Sequence, residues 1–501
     1  MSFRIAVCIA AAACAGLPSP ALAGEPADIT SAAEARAEAV LGEAKNALAE
    51  PAVTPSRELT LVLVKLSQAI PDLEGSERRV ANEILARPDD GPDDRYGHGF
   101  TVPEAEQSPL CDSNFCVHWV EMGKDAPEPD DTNGMPGVPD YVEEVLDSAA
   151  DSYGVENATL DWVAPVPDGI RGGGGETDIY LLDIDNRYYG YASPDEGQGS
   201  ATAKQAYLVL DDDYERLASP PGFTAIDAMQ VTMAHEYNHV LQFAYDSQED
   251  LWMFESTATW MEDEVYEEID DYVNYLPFYA RKSMVPLTAN SGSGLKIYGA
   301  AVWNHYLAET GDPAVVRDAW AASDSVAPPH VSVAAYDDAL GGAGSPFAEL
   351  AEEFVFFAES TAEWRGLPAV YPDAADHPGM KRVGKRLKLN KTRKITLDHL
   401  AYALVDVAPN LADEALELRV KAPDGTRSGL SLIGRRGNAQ SPDLETDTSV
   451  LSAGGSGGAT LTGDTYGRVT AMAVNADARV KGSGRYKRDD QQYKLKLVRA
   501  P

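Results

Sequence analysis

The stretch VTMAHEYNHVLQFAYD, residues 231–246, contains two histidines four positions apart, with a glutamate directly after the first. Residues i and i+4 lie on one face of an α-helix, so His235 and His239 can direct their imidazole nitrogens at one metal ion. Glu236 is rotated by about 100° from His235, where its carboxylate can reach a metal-bound water without binding the metal. The spacing therefore predicts a zinc site in which the ion acidifies a water molecule and the glutamate accepts its proton.

A third protein ligand must come from elsewhere, and the segment DLWMFESTATWMEDEVY, residues 250–266, contains suitable glutamates. Glu255 and Glu262 are seven positions apart on one predicted helix, so they point within about 20° of the same direction. Both glutamates therefore face the predicted metal, and their positions along the helix axis place both within side-chain reach of it. Direction and position thus do not decide which of the two is the ligand. The small residues after Glu255 allow a close approach of the helix, whereas Glu262 begins an acidic EDE run that we expect to be solvated.

Together the two stretches resemble the gluzincin branch of zinc metallopeptidases, and more narrowly secreted bacterial metalloproteases with a long N-terminal region and a C-terminal β domain. The resemblance is strongest over residues 107–310. It implies a zincin-like catalytic domain with His235, His239 and Glu255 as zinc ligands and Glu236 as general base. The E-x-x-A spacing at Glu255 matches the family's ligand glutamate. The fifteen residues between His239 and Glu255 are fewer than the thermolysin-like pattern has.

The resembled family also has a tyrosine or a histidine on a helix after the ligand glutamate, where that side chain stabilises the oxyanion. The segment SGLKIYGAAVWNHYL, residues 293–307, offers Tyr298 and His305. We expect Tyr298 to have this catalytic role, with His305 as the second candidate. The alternative is that Tyr298 only packs in a helical core.

A calcium site is a further expectation, because DDTNGMPGVPD, residues 130–140, opens like a calcium-binding loop. Its candidate ligands are Asp131, Asn133 and Asp140. Met135 and Pro136 stand where an EF-hand loop has an oxygen ligand and a glycine. An acidic turn that caps the following helix is therefore the alternative.

The first 23 residues, MSFRIAVCIAAAACAGLPSPALA, contain one basic residue, a short apolar run and small residues at the end. This pattern predicts a secretory signal peptide cleaved after Ala23, and its apolar run is shorter than the roughly 20 residues of a membrane span. We therefore expect an extracellular protein without a membrane span; a lipid anchor on Cys14 is the alternative. Cys111 and Cys116 remain after cleavage and predict one disulfide.

The charge of the chain is strongly negative and unevenly distributed. The formal net charge is -39; residues 381–501 contain 22 basic and 13 acidic residues, a balance of +9, and the remainder contains 19 and 67, a balance of -48. An acidic surface repels nucleic acid and anionic membranes. We therefore expect no nucleic-acid partner, whereas a protein or peptide substrate is what the resemblance to zinc metallopeptidases implies; the oligomeric state stays open.

The order of sequence patterns predicts an α+β protein with four regions. The signal peptide, residues 1–23, is followed by a helical segment, residues 24–95, that is either an N-terminal subdomain or a pro-segment restraining the enzyme before release. Residues 96–380 form the predicted catalytic domain, with a mixed sheet backed by helices and then a mainly α half. Residues 381–501 have short alternating segments between Gly/Ser-rich turns, which predicts a β-sandwich.

These features together predict a secreted zinc-dependent peptidase in which Glu236 activates water at a metal held by His235, His239 and Glu255. Two alternatives come from other functional classes. One is a non-catalytic cell-surface or adhesive protein with a structural metal, which an open metal position beside a base argues against. The other is a zinc hydrolase that cleaves a non-peptide amide or ester.

Overall fold

The fold is known from a computed structural model that describes residues 26–49, 59–90, 100, 107–132, 134–184, 188–200, 202–214, 223–290, 294–323, 332–342, 347–408, 411, 414–463, 465–480 and 486–501. The predicted signal peptide, residues 1–23, lies outside these ranges. The described part is mixed α+β, as expected, and contains three sheets. None of its helices is long and apolar enough to cross a membrane.

The N-terminal segment folds into three helices, as its helical periodicity predicts. These are α1 (Pro26–Ala49), α2 (Leu59–Ala69) and α3 (Gly75–Ile84). The central helix, α2, is buried around most of its circumference, and a helix that is apolar on all sides must be covered on all sides. Its residues Leu63 and Leu66 share an apolar cluster with Tyr191 and Tyr207 of the first sheet. The segment is therefore packed onto the rest of the protein.

A buried arginine attaches the end of this segment to the first sheet. Arg87 is 0% exposed and forms ion pairs with Asp168, Asp178 and Asp195, of which the first and last are 2.7 Å long. Removal of one partner from a buried ion pair leaves an uncompensated charge, which is strongly destabilising. Arg87 is therefore a buried positive charge shared by three carboxylates, one of which, Asp195, also pairs with the partly exposed Arg171.

The first sheet has five strands, with parallel strands at its centre. They are β1 (Leu110–Cys111), β2 (Phe115–His118), β3 (Thr177–Leu182), β4 (Gly190–Gly199) and β5 (Lys204–Asp211). The spatial order is β1-β2-β3-β5-β4; β2, β3 and β5 are parallel, and β4 lies antiparallel at one edge. Sequence patterns predict β2, β3 and β5 but not β4, which contains Pro194 and glycines, residues that an edge strand tolerates. The predicted disulfide between Cys111 and Cys116 joins β1 to β2.

One helix connects β2 to β3 of the first sheet, and helices make up most of the chain between that sheet and the C-terminal sheets, as predicted. They are α4 (Asp140–Glu156), α5 (Ala225–Asp246), α6 (Leu251–Val265), α7 (Leu276–Arg281), α8 (Lys296–Gly299), α9 (Ala301–Thr310), α10 (Ala314–Ser323), α11 (Ser332–Ala339) and α12 (Ala348–Thr361). Aromatic side chains fill the interior of this half; Trp303, for example, contacts the rings of Phe354 and Phe357. The helix α6 packs against this aromatic core, which holds it in position.

The C-terminal region contains two four-stranded antiparallel sheets. Its strands are β6 (Thr392–Leu397), β7 (Ala401–Asp406), β8 (Leu416–Ala422), β9 (Ser428–Gly437), β10 (Pro442–Leu451), β11 (Gly455–Leu461), β12 (Arg468–Asn475) and β13 (Gln491–Arg499). The orders are β10-β9-β12-β7 and β11-β8-β13-β6. Inward residues of both sheets, such as Leu418 and Leu430, share one apolar core. The other face of the first of these sheets packs on α12, where the hydroxyls of Thr361 and Tyr402 are 2.8 Å apart.

Candidate metal centre

Two consecutive helices, α5 and α6, carry the predicted metal ligands. The first begins with a capping box: the Thr224 hydroxyl accepts from the Asp227 amide at 3.1 Å, and the Asp227 carboxylate accepts from the Thr224 amide at 2.7 Å. A four-residue turn then returns the chain into α6. The Gln242 side-chain amide donates to the backbone oxygen of Phe254 at 3.1 Å, and this bond fixes how α6 lies against α5.

The side chains of His235, His239 and Glu255 converge between these helices. The Nε2 atoms of the two histidines are 3.1 Å apart. Oε2 of Glu255 is 3.3 Å from Nε2 of His235, and its Oε1 is 3.7 Å from Nε2 of His239. Two ligands held at about 2.0–2.1 Å by a tetrahedral zinc ion lie about 3.3–3.4 Å from each other. The ligand atoms are therefore separated by distances that a single ion can bridge.

The far side of each imidazole ring is held by a hydrogen-bond acceptor, which fixes where the ring protons lie. Nδ1 of His235 is 2.6 Å from Oε1 of Glu262, and Nδ1 of His239 is 2.7 Å from Oε1 of Gln242. The amide nitrogen of Gln242 donates to two other acceptors, so its oxygen is the atom that faces His239. When both Nδ1 atoms donate, each neutral ring has its lone pair on Nε2, and the two Nε2 atoms face the common centre.

This arrangement of atoms needs a positive charge at its centre. Glu255 is 0% exposed, and neither of its carboxylate oxygens has a hydrogen-bond partner among the residues that the structure describes. Burial lowers the pKa of His235, but the adjacent Glu255 and Glu262 carboxylates outweigh burial and raise it to about 10. Burial and the charge on His235 lower the pKa of His239. Either a proton on His235 or a metal ion balances the carboxylate, and two imidazoles with one carboxylate are a typical zinc ligand set.

Glu262 is buried, so the expectation that the EDE run is solvated is wrong at this position. Its side chain is 1% exposed, and its carboxylate accepts a hydrogen bond from Nδ1 of His235. Glu255 and Glu262 therefore lie on opposite nitrogens of the same ring. A carboxylate in the position of Glu262 orients the ring and raises its basicity toward a metal.

The predicted general base, Glu236, bonds to the N-terminal segment. Its Oε2 atom accepts a hydrogen bond from the Thr60 hydroxyl at 2.9 Å. The same hydroxyl accepts from the backbone amide of Ala192 on β4 at 3.0 Å. Thr60 is 0% exposed. One hydroxyl of α2 thus bridges the predicted base and the edge strand of the sheet.

The site is closed to solvent, and α2 forms part of its cover. The three metal-ligand candidates and the predicted base are each at most 1% exposed. Leu61 and Val64 of α2 belong to the same apolar cluster as Met233 of α5. The Gln68 side chain, at the end of α2, donates to the backbone oxygen of Ser247 at 2.9 Å, in the turn between α5 and α6. Substrate therefore requires a displacement of side chains or helices to reach Glu236.

Of the two oxyanion candidates, Tyr298 lies beside the metal-ligand cluster. Its ring centroid is 6.2 Å from that of His235, and it is fully buried on α8. The His305 ring lies 4.2 Å from the ring of Tyr272, and its Nδ1 atom is 3.8 Å from a carboxylate oxygen of Asp263. His305 therefore belongs to a different group of side chains near the end of α6.

The expected calcium loop forms a hydrogen-bonded turn at the start of α4. The Asp140 carboxylate accepts from the hydroxyl of Thr132 at 2.7 Å, and the Asp131 carboxylate accepts from the amide of Gly137 at 2.8 Å. Asn133 lies outside the described residues. These bonds close an acidic turn ahead of α4, whose N-cap residue, Pro139, makes no side-chain capping bond, and calcium binding at this turn stays a prediction.

Sequence analysis missed two polar residues that hold the site together, Gln242 and Thr60. Gln242 follows His239 by three positions on the same helix, a spacing that places the two side chains in contact, so a search for acceptors at that spacing finds it. Thr60 gives no such signal, because it is 176 positions from Glu236 in the chain.

The chain matches no protein-family model, and no curated protein is significantly similar to it. Its function must therefore be argued from the chemistry of the site.

Proposed function

We propose that this chain is a zinc-dependent peptidase whose metal is held by His235, His239 and Glu255. The observation that carries the proposal is the convergence of the Nε2 atoms of His235 and His239 on the buried carboxylate of Glu255, which has no hydrogen-bond partner among the described residues. Zinc bound there would acidify a water molecule and polarise the carbonyl of the scissile bond. A metal with three protein ligands leaves one position open for this chemistry, unlike a structural site with four.

The chain's own groups supply the proton transfers and the orientation. Glu236 follows a ligand histidine on α5, and we assign it as the general base that accepts a proton during attack and returns it to the leaving amine. Glu262 and Gln242 hold the two imidazole rings by their Nδ1 atoms. Tyr298, buried beside His235, is the candidate that donates a hydrogen bond to the developing oxyanion.

A peptide is the substrate class that the edge strand favours. Extended peptides bind to exposed sheet edges through backbone hydrogen bonds. The Ala192 amide on β4 donates to the Thr60 side chain, so it is directed away from β5 and toward the predicted base. Once Thr60 leaves, this amide is available to a substrate backbone, whereas a small ester has no extended backbone to occupy the strand.

We further propose that the structure described is a latent form in which residues 24–95 restrain the site. The support is the hydrogen bond from the Thr60 hydroxyl of α2 to Glu236 and the burial of the three metal-ligand candidates and the predicted base. Activation would require α2 to move or to be removed. The Arg87 ion pairs make complete loss of the segment costly for the sheet, so displacement that leaves Arg87 in place is the favoured route.

The finer architecture and location are part of the same proposal. We propose a zincin-like catalytic domain for residues 96–380, on the basis of a helix bearing both histidines that packs against a sheet with an antiparallel edge strand. We propose a β-sandwich for residues 381–501, since two antiparallel sheets share one apolar core. Export to the extracellular space rests on the predicted signal peptide.

The proposal is tested by hydrolysis assays on the full-length protein before and after limited proteolysis that releases α2. We expect cleavage of a peptide library that a zinc chelator abolishes and added zinc restores. Zinc binding without hydrolysis of any peptide, amide or ester after α2 is released would favour the structural-metal alternative. Cleavage of esters or small amides with no cleavage of peptides would favour the non-peptide hydrolase.

A further inference from the structure

A second group of carboxylates lies near the C-terminal end of α6, apart from the candidate zinc site. One oxygen from each of Asp263, Asp270 and Asp373 lies within 4.8 Å of the others. Asp263 is on α6, Asp270 is in the loop that follows, and Asp373 is in the segment after α12. Three separate parts of the chain therefore bring negative charges to one point.

Two of these side chains have a buried oxygen to which no group in the described part of the chain donates a hydrogen bond. The side chain of Asp263 is 9% exposed, and its Oδ1 atom is buried without a hydrogen-bond partner. Oδ1 of Asp270 is likewise buried and without a partner. A buried carboxylate oxygen is normally hydrogen-bonded, paired with a positive charge or bound to a metal. These atoms therefore indicate a missing ligand rather than a solvated acidic surface.

No positive side chain in the described part of the chain balances this group. The one base within ion-pair distance is His305, whose Nδ1 atom is 3.8 Å from Asp263. Burial lowers the pKa of His305 to about 3, so its ring is neutral at ordinary pH. The Tyr272 hydroxyl donates to Oδ2 of Asp373 at 2.8 Å, which satisfies one oxygen but adds no charge.

We propose that Asp263, Asp270 and Asp373 bind a divalent cation and that this cation is calcium. All three side-chain ligands are oxygens, which suit calcium or magnesium, whereas zinc favours nitrogen and sulfur. Calcium accepts six to eight oxygen ligands in irregular geometry, and water and backbone carbonyls can complete its shell. Three carboxylates from three separate segments fit that tolerance better than the near-ideal octahedron of magnesium.

Bound calcium holds three elements together at the end of the helix that carries the third zinc ligand. Asp263 directly follows Glu262, whose carboxylate bonds to Nδ1 of His235. The calcium site therefore stabilises the part of α6 that orients this ring. Its existence does not depend on the proposed peptidase activity, because its ligands are separate from those of the zinc site.

The test is a calcium titration of full-length protein that has been freed of metals and reloaded with one equivalent of zinc. Calorimetry gives the calcium Kd, and thermal unfolding gives Tm. We expect saturable binding and a rise in Tm. Asp263→Asn and Asp373→Asn should each weaken binding by about 10-fold or more, because each removes a charged ligand. The control Asp376→Asn removes the same charge from an exposed neighbour and should change Kd by less than about 2-fold.

The variants also report on folding. In metal-free buffer at pH 8, Asp263→Asn should have a higher Tm than the wild type, because folding of the wild type buries a carboxyl group that is ionised in the unfolded chain, whereas the amide is neutral in both states. Absence of saturable calcium binding, or an unchanged Kd in Asp263→Asn, overturns the proposal. If calcium still raises Tm in Asp263→Asn but no longer does so in Asp131→Asn, the proposal is also overturned. Calcium is then assigned to the turn before α4.

Discussion

Zinc affinity should separate the roles of Glu255 and Glu262, which lie on opposite sides of the same imidazole ring. Glu255→Gln keeps the volume of the side chain but replaces a charged ligand with a neutral amide. A structural zinc ion with four ligands is bound by about 10–16 kcal/mol, so one ligand contributes about 2.5–4 kcal/mol, or roughly 10² to 10³ in affinity. We expect Glu255→Gln to lose zinc affinity by this factor.

Glu262→Gln should behave differently, because the new amide oxygen can still accept the Nδ1 proton of His235. Changes around a metal ligand typically cost about 10- to 100-fold, and this conservative change should lie at or below the lower value. Glu268→Gln, at an exposed position after the same helix, is the matched control and should leave affinity unchanged. Competition with a chromogenic zinc chelator at neutral pH measures the zinc affinity of the three variants. An equal loss in Glu255→Gln and Glu262→Gln, or a larger loss in the latter, refutes the assignment of Glu255.

Three further predictions concern the elements around the site. Thr60→Val removes the hydroxyl that donates to the Glu236 carboxylate, a loss of about 1–3 kcal/mol from the closed form that favours displacement of α2 and should raise peptide turnover by about 5- to 100-fold, whereas Thr60→Ser should not; unchanged turnover in Thr60→Val counts against latency. Arg87→Met should lower the free energy of unfolding in urea by about 3–5 kcal/mol, whereas Arg79→Met, which removes an arginine that is 70% exposed and pairs with Glu83, should lower it by less than about 1 kcal/mol; equal losses contradict the argument from burial. Burial and the neighbouring carboxylates raise the pKa of Asp263 from 3.8 to about 9. Because the folded protein holds this proton more tightly than the unfolded chain, the contribution of Asp263 to stability is fully present below about pH 4. It is lost as the pH rises toward about 9. Calcium should therefore raise Tm more at pH 9 than at pH 5, and an equal rise at both values is the contrary result.

Local spacing was enough to predict the elements that carry the site. The separation of His235 and His239 predicts a shared helix face, and these atoms do converge. Helical periodicity predicts α1, α2 and α3, and short apolar runs predict β2, β3 and β5. Each of these patterns repeats within one turn or one strand, so it is visible without knowledge of the tertiary fold.

Contacts between distant parts of the chain were not predictable in the same way. The acidic EDE run predicts a solvated Glu262, but the packing of α6 on α5 buries this side chain against His235. The bond from Thr60 to Glu236 depends on how the N-terminal helices dock on the sheet. Asp263 and Asp373 are 110 positions apart, and only the fold brings their carboxylates together. The strand β4 was not predicted, because it contains proline and glycine, which edge strands tolerate and interior strands exclude.

The measurement that tests the central claim most directly is the activity and zinc content of Glu236→Gln, made in the wild-type chain and in the Thr60→Val background. Zinc content should stay at about one ion per chain, because the three ligands are untouched. The rate constant kcat should fall by about 10²- to 10⁴-fold, since the change removes the proton acceptor and leaves a side chain of the same size. Retention of peptide hydrolysis with zinc bound would contradict the assignment of Glu236 as general base and, with it, the proposed mechanism.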